Sequence, residues 1–182
     1  MPESWALHTH ALDVREVDLA RVLILRLRRP SEKTLDRMGA LLGVSLPTTP
    51  NTAIGQQPRS IWLAPDAWII VGAVQPISEI EAAAEDASVL CVDASSTHFV
   101  VEIAGASARA LIAKGCSLDL HPRVFGSNSA ASTWMAQARV QIERIGDAQA
   151  FRLYFERNLR LYLRAWFEDA LLEFKEAAVA PA

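Results

Sequence analysis

The chain has 182 residues, of which 51% are hydrophobic and 21% charged, with a net charge of −3 and a mean hydropathy of +0.16. A chain of this size buries roughly 70% of the surface its unfolded form exposes, so it builds a core without staples, and the composition excludes a disordered chain. The slight acidity and the lack of a basic tract beyond Arg26, Arg28 and Arg29 exclude an electrostatic nucleic-acid binder, and no apolar run approaches the ~20 residues of a membrane span.

Residues 1–18, "MPESWALHTHALDVREVD", are too polar and acidic for a signal peptide and read as a flexible end. His8-x-His10 in this arm has no further metal ligand nearby in sequence. In "RVLILRLRR" (21–29), Leu23, Leu25 and Leu27 take one parity and Arg26 and Arg28 the other, the period of a half-buried strand. Pro30 ends it, and Ser31 caps a helix that runs through "SEKTLDRMGALLG" to a stop at Gly43. Residues 44–60 hold three prolines and a glycine and read as a long loop. "IWLAPDAWIIVG" (61–72) is a hairpin bent at Pro65-Asp66, with Trp62 and Trp68 near the bend. Pro76 starts a helix over "ISEIEAAAED", and "SVLCVDASSTHFVVEIAG" reads as two strands broken near Ser95-Ser96. A short helix, "ASARALIAK", follows. The segment "STWMAQARVQIERIGDAQAFRLYFER" reads as strands with a turn at Gly146-Asp147, and Asn158 caps a long final helix. The tail from 176 to 182 reads as a second flexible end.

Up to residue 95 the order is strand, helix, strand, strand, helix, strand, the split pattern of a ferredoxin-like unit. A similar order begins again at Thr97. The expectation is an α+β fold, one compact domain of two pseudo-repeated halves over about 20–95 and 97–175, each an antiparallel sheet with helices. Cys91 and Cys116 form no disulfide framework and no C-x-x-C pair, which fits a cytoplasmic protein with free thiols.

The stretch "AKGCSLDLHPRVFG" (113–126) gathers Lys114, Cys116, Asp119, His121 and Arg123. Ala108, Leu111, Ile112 and Gly115 form one stripe of a short helix. Lys114 falls in its last turn, where a cation suits the helix dipole, and Gly115 is placed to close it in the left-handed conformation. His121 before Pro122 is biased to extended backbone. A Cys–His nucleophile needs a base and an orienting group. No cysteine-hydrolase signature surrounds these residues, and Cys116 after a helix end reads as a small buried thiol. Asp93 and Glu102 read as solvated acids at strand edges, and no nucleotide-binding glycine loop occurs anywhere.

The same stretch resembles the signature of the gamma-subunit family of heterotetrameric sarcosine oxidase, with Lys114, Gly115, Cys116, Asp119, His121 and Pro122 as the motif. "LPTTPNTA" (46–53) and "WLAPDAWIIVG" (62–72) resemble the same family, and the likeness covers about residues 20–170. It departs after Phe125, where "GSNSAASTWMAQ" replaces the family's usual glycine, cysteine and polar run. The resemblance implies a fold like the folate-binding domain of the glycine-cleavage T-protein. It also implies a non-catalytic, cofactor-free subunit that binds alpha in a complex with beta and delta. FAD, FMN, NAD and tetrahydrofolate would then belong to the partner subunits, which demethylate sarcosine to glycine. A second resemblance, to T-protein-related iron–sulfur-cluster maintenance proteins with their K-G-C-Y-x-G-Q-E motif, working cysteine and folate site, implies instead a stand-alone folate-binding protein of iron–sulfur-cluster maintenance or one-carbon metabolism. Here Lys114-Gly115-Cys116 matches, and Ser117 to Leu120 do not.

In the last helix, Leu159, Tyr162, Leu163, Trp166, Phe167, Ala170 and Phe174 form an apolar stripe expected to pack on the sheet. Leu161, Ala165 and Leu172 fall nearly opposite, between Arg164, Glu168 and Asp169. One core requires one stripe, so these three are the candidate partner contact.

Overall fold

The structure, a computed structural model, describes residues 4–18, 21–84, 88–146 and 149–176. The chain divides into two compact units, one of residues 19–98 with 128–131, the other of 1–18, 99–127 and 132–182.

The first unit follows the alternation seen in the sequence. Strand β3 (Val22–Arg28) buries Leu23, Leu25 and Leu27 on one face and leaves Arg26 and Arg28 exposed on the other. Helix α1 (Glu32–Leu42) begins at Ser31, whose side chain accepts from the Thr34 N–H. It ends at Gly43 in the left-handed conformation, φ 72°, as the punctuation predicts. Strands β5 (Arg59–Ala64) and β6 (Ala67–Val71) form the expected hairpin, with Asp66 at φ 57° and Trp62 opposite Trp68. Helix α2 (Ile77–Ala82) starts after Pro76, and β7 (Ser88–Asp93) completes the unit.

The loop read over 44–60 needs correction. It contains a three-residue strand, β4 (Ala53–Gly55), paired with β5. Val44 and Leu46 are buried, and the Trp68 indole N–H donates to the Pro47 carbonyl at 2.8 Å, so packing fixes what composition marks as irregular. The antiparallel sheet runs β4-β5-β6-β3-β7, which contains the ferredoxin-like order with β4 added at one edge. Its core gathers Leu23, Leu25, Leu27, Met38, Leu42, Trp68, Ile70, Ile80 and Cys91.

The second unit holds a larger correction. Residues 1–18 were expected to be a flexible end, yet β1 (Ala6–Thr9) and β2 (Leu12–Val17) form a hairpin inside a six-stranded sheet. The sheet runs β1-β2-β8-β11-β10-β9, with β8 (His98–Ala104), β9 (Ala130–Met135), β10 (Ala138–Arg144) and β11 (Ala150–Glu156). Here β2 pairs antiparallel with β8 and fills the place that β7 takes beside β3 in the first unit. The second half therefore obtains its last strand from the N-terminus. Trp5, Leu12 and Val14 are buried, and the Trp5 ring lies 5.9 Å from that of Phe167. Gly105, at φ +121°, is needed because a Cβ there would collide with the Ala11 carbonyl oxygen.

The final helix is also corrected. A 3-10 turn (Arg157–Leu159) precedes α4 (Arg160–Ala170), so Asn158 is not its cap, and a break at Leu171 separates α5 (Leu172–Glu176). Gly146, at φ 56°, stands where the turn was expected, while residues 147–148 and the tail 177–182 lie outside the described residues. Among the described residues no helix is long and apolar enough to cross a membrane.

Candidate functional site

The motif at 113–126 follows α3 (Ala108–Ala113), which buries Ala108, Leu111 and Ile112 as its stripe predicts. Lys114 is the C-cap residue, and its ammonium serves a different helix. Nζ donates to the Ala170 carbonyl at 3.1 Å and lies 2.8 Å from Glu173 Oε1 and 5.9 Å from the Phe174 ring centroid. The cation thus satisfies an orphan carbonyl at the negative end of α4, at the point where α5 begins.

Gly115 does not take the left-handed conformation expected of it. Its requirement is space. A Cβ at this position would stand 2.7 Å from Trp166 Cζ2 and 3.1 Å from the Ala136 amide nitrogen. The Gly115 carbonyl accepts the Ala136 N–H at 3.0 Å. Ala136 and Gln137, the two turn residues between β9 and β10, both have positive φ (47° and 61°) without being glycine. The Tyr162 hydroxyl donates to the Ala136 carbonyl at 2.7 Å and holds this turn from the helix side. Tyr162 was expected in the core stripe, but it is partly exposed and acts through its hydroxyl.

Cys116 is buried, and its sulfur lies 3.9 Å from the Thr133 hydroxyl. Asp119 and His121 are exposed and act on the local backbone. Asp119 Oδ1 accepts the His121 N–H at 2.8 Å, and His121 Nδ1 accepts the Arg123 N–H at 3.2 Å. The His121 carbonyl accepts from Val124 and Phe125, which closes the turn over Pro122. Leu120 and Phe125 are buried, and the Phe125 ring stacks on that of Phe151, so the loop is anchored at two points. The structure brings Lys114, Gly115 and Cys116 into the packing of α4 and the β9–β10 turn. Asp119, His121 and Pro122 stay in an exposed, self-bonded turn.

Leu163, Phe167 and Ala170 of the predicted stripe are buried, while Leu159, Trp166 and Phe174 are half-buried. Leu161 and Leu172 are 74% and 52% exposed, and Ala165 is exposed too. The break at Leu171 means that Leu172 is no longer on the same helix as the other two.

The two acids read as solvated sit in separate units, each with cationic partners. Glu102 lies 2.5 Å from Arg15 Nη2 and 3.2 Å from Arg152 Nε. Hydrogen bonds from Ser95, with Arg21 at 3.1 Å, hold the Asp93 carboxyl below its ordinary range. Glu16 and Arg160, which no sequence pattern singles out, form a buried pair. Arg160 Nε lies 2.9 Å from both carboxylate oxygens and Nη2 lies 2.7 Å from one. Their separation in the chain hid the pair, since only the docking of the N-terminal strand brings them together.

Among the described residues no group of three His, Cys, Asp or Glu comes together to hold a metal, and His8 Nδ1 pairs with Asp13 at 3.1 Å. Gly55 and Gly105 are approached by their own chain, at Pro58 and Ala11, so neither opens a cradle for a flavin or nicotinamide phosphate.

A family model described as "Sarcosine oxidase, gamma subunit family" matches residues 36–173. The gamma subunit of sarcosine oxidase from Corynebacterium sp. (strain U-96) is 29% identical over 174 residues, covering 93% of this chain and 84% of that one. A chain of the heterotetrameric sarcosine oxidase from Corynebacterium sp. U-96, solved in complex with pyrrole 2-carboxylate, superposes with a TM-score of 0.83 at 27% identity. The match covers 97% of this chain and 90% of that one. The aminomethyltransferase T of the glycine cleavage system from Bartonella henselae matches with a TM-score of 0.62 at 14% identity. It covers 91% of this chain and 46% of that one, and shows a shared fold.

Proposed function

This chain belongs to the sarcosine oxidase gamma subunit family, and we propose that it serves as the gamma subunit of a heterotetrameric sarcosine oxidase, without a catalytic group of its own. One observation carries the second half of this reading: the side chains of the most reactive motif are engaged with the chain's own structure, Asp119 and His121 with the backbone of their exposed turn. Lys114 caps a helix, Gly115 makes room for an indole, and Cys116 is a buried thiol. That arrangement supports a packing role over a nucleophilic one, and it gives no support to the cysteine-dependent alternative in iron–sulfur-cluster maintenance.

In this reading the alpha, beta and delta subunits hold FAD, FMN, NAD and tetrahydrofolate and carry sarcosine demethylation. Leu161, Ala165 and Leu172 meet one of them. The exposure of those three residues supports this contact. The test is co-expression with the three larger or accessory subunits, followed by purification through a tag on this chain. Stoichiometric recovery with sarcosine-dependent peroxide release is the expected result, while the chain purified alone has no flavin absorption. Flavin bands near stoichiometric amount in the lone chain, or its failure to enter the complex, would overturn the proposal.

A further inference from the structure

Strand β7 is an edge of the first unit's sheet, six residues long and paired with β3 in continuous register from Ser88 to Asp93. Natural edges are blunted by proline, lysine, bulges or shortness, because an open row of backbone groups recruits another strand. "SVLCVD" has no proline or lysine, pairs with β3 without a bulge, and carries its one charge, Asp93, at its end. The opposite edge, β4, is only three residues long.

Two further features mark this edge. On the face away from the helices, Leu90 and Val92 are 56% and 45% exposed, beside half-buried Ile24. Arg26 and Arg28 are the cross-strand partners of Leu90 and Ser88 on that face. Both are exposed, and neither guanidinium has a hydrogen-bond or ion-pair partner among the described residues. The short Ser88 side chain leaves room for a guanidinium to extend over β7 toward a strand ~5 Å beyond it. The open side is also the correct one for pairing. Ala94 N–H donates to the Val22 carbonyl at 2.8 Å. Antiparallel alternation from there turns residues 88, 90 and 92 toward β3, and the amides of Val89, Cys91 and Asp93 outward.

We propose that β7 is a strand-addition site for an extended segment of a larger subunit that presents, on one face and at alternate positions, apolar side chains beside Leu90 and Val92 and then carboxylates that meet Arg26 and Arg28. Backbone pairing supplies the affinity and the side-chain pattern supplies the choice of partner. A second copy of this chain fits poorly, because a two-fold contact would set the same pair of guanidinium groups against itself. The inference rests on the subunit reading and concerns residues of the first unit, whereas Leu161, Ala165 and Leu172 belong to the second.

Hydrogen exchange on the wild-type chain, alone and within the purified complex, tests it. The outward amides of Val89, Cys91 and Asp93 are expected to exchange roughly tenfold or more slowly in the complex. Val92→Lys and the pair Arg26→Glu/Arg28→Glu are expected to leave the lone chain's melting temperature unchanged and to lower its recovery with the larger subunits. Unchanged exchange in a complex that does form overturns the inference and leaves the subunit reading intact. Protection of the outward Val89, Cys91 and Asp93 amides in the lone chain, with a dimer in solution, overturns it in favour of self-pairing. A wild-type chain that never enters the complex removes both readings together.

Discussion

Gly115→Ala isolates the reason for a glycine at the centre of the motif. The added methyl would lie 2.7 Å from Trp166 Cζ2 and 3.1 Å from the Ala136 nitrogen. If Trp166 swings outward, its edge contact with Phe167 (centroids 5.2 Å apart, planes at 79°) is lost, at about 0.5–1.5 kcal/mol. If the backbone retreats instead, the Ala136 N–H bond to the Gly115 carbonyl is stretched, at about 0.5–1.5 kcal/mol. Overpacking of this kind typically costs about 1–3 kcal/mol, and the stiffer unfolded chain returns about 0.4–1 kcal/mol. The expected net loss is about 1–2 kcal/mol, or roughly 2–8 °C in melting temperature at this chain length. Urea denaturation of Gly115→Ala, Trp166→Ala and the double variant measures the coupling. Without Trp166 the alanine penalty should fall by at least half. A penalty of the same size in both backgrounds would refute the packing against Trp166 and leave the close approach of the Ala136 backbone as the reason for glycine.

Arg160→Met leaves Glu16 buried without its cation and should cost about 3–5 kcal/mol, read by urea denaturation; Glu16→Gln/Arg160→Met should recover part of that loss. Asp93 has a lowered folded pKa, so its stabilisation is complete above the unfolded value of about 3.9 and fades as pH falls through the folded value. Asp93→Asn should accordingly flatten the stability profile below about pH 4 and leave the alkaline side unaltered, as followed by denaturant midpoints. Leu161→Glu/Leu172→Glu should keep the lone chain's melting temperature and weaken co-purification; an unfolded double variant would show that these leucines are core. Both thiols should resist modification in the folded chain, because Cys91 and Cys116 are buried and burial raises the Cys91 pKa. Cys116→Ala should leave sarcosine oxidation by the reconstituted complex near the wild-type rate, whereas fast labelling with parallel loss of activity would contradict this.

Much of the first unit was legible because its signals are local. Ser31 and Gly43 bound one helix, and Leu23, Leu25 and Leu27 mark one strand face. Pro65-Asp66 bends one hairpin, and each of these features acts within a few residues of itself. The motif was legible as a stretch of chain, and so was its turn over Pro122, which is closed by the stretch's own backbone. What the stretch is for was decided at a distance. Lys114 reaches the end of α4, more than fifty residues away, and Gly115 is small because Trp166 arrives beside it. The N-terminal arm misled for the same reason. Its strand β2 buries Leu12 and Val14 weakly by pattern, and it is held by β8 and by Glu16 pairing with Arg160, 144 residues away in sequence. Periodicity and capping describe what a segment forms; the pairing of remote charges and the fit of an indole against a bare backbone exist only once the segments have met.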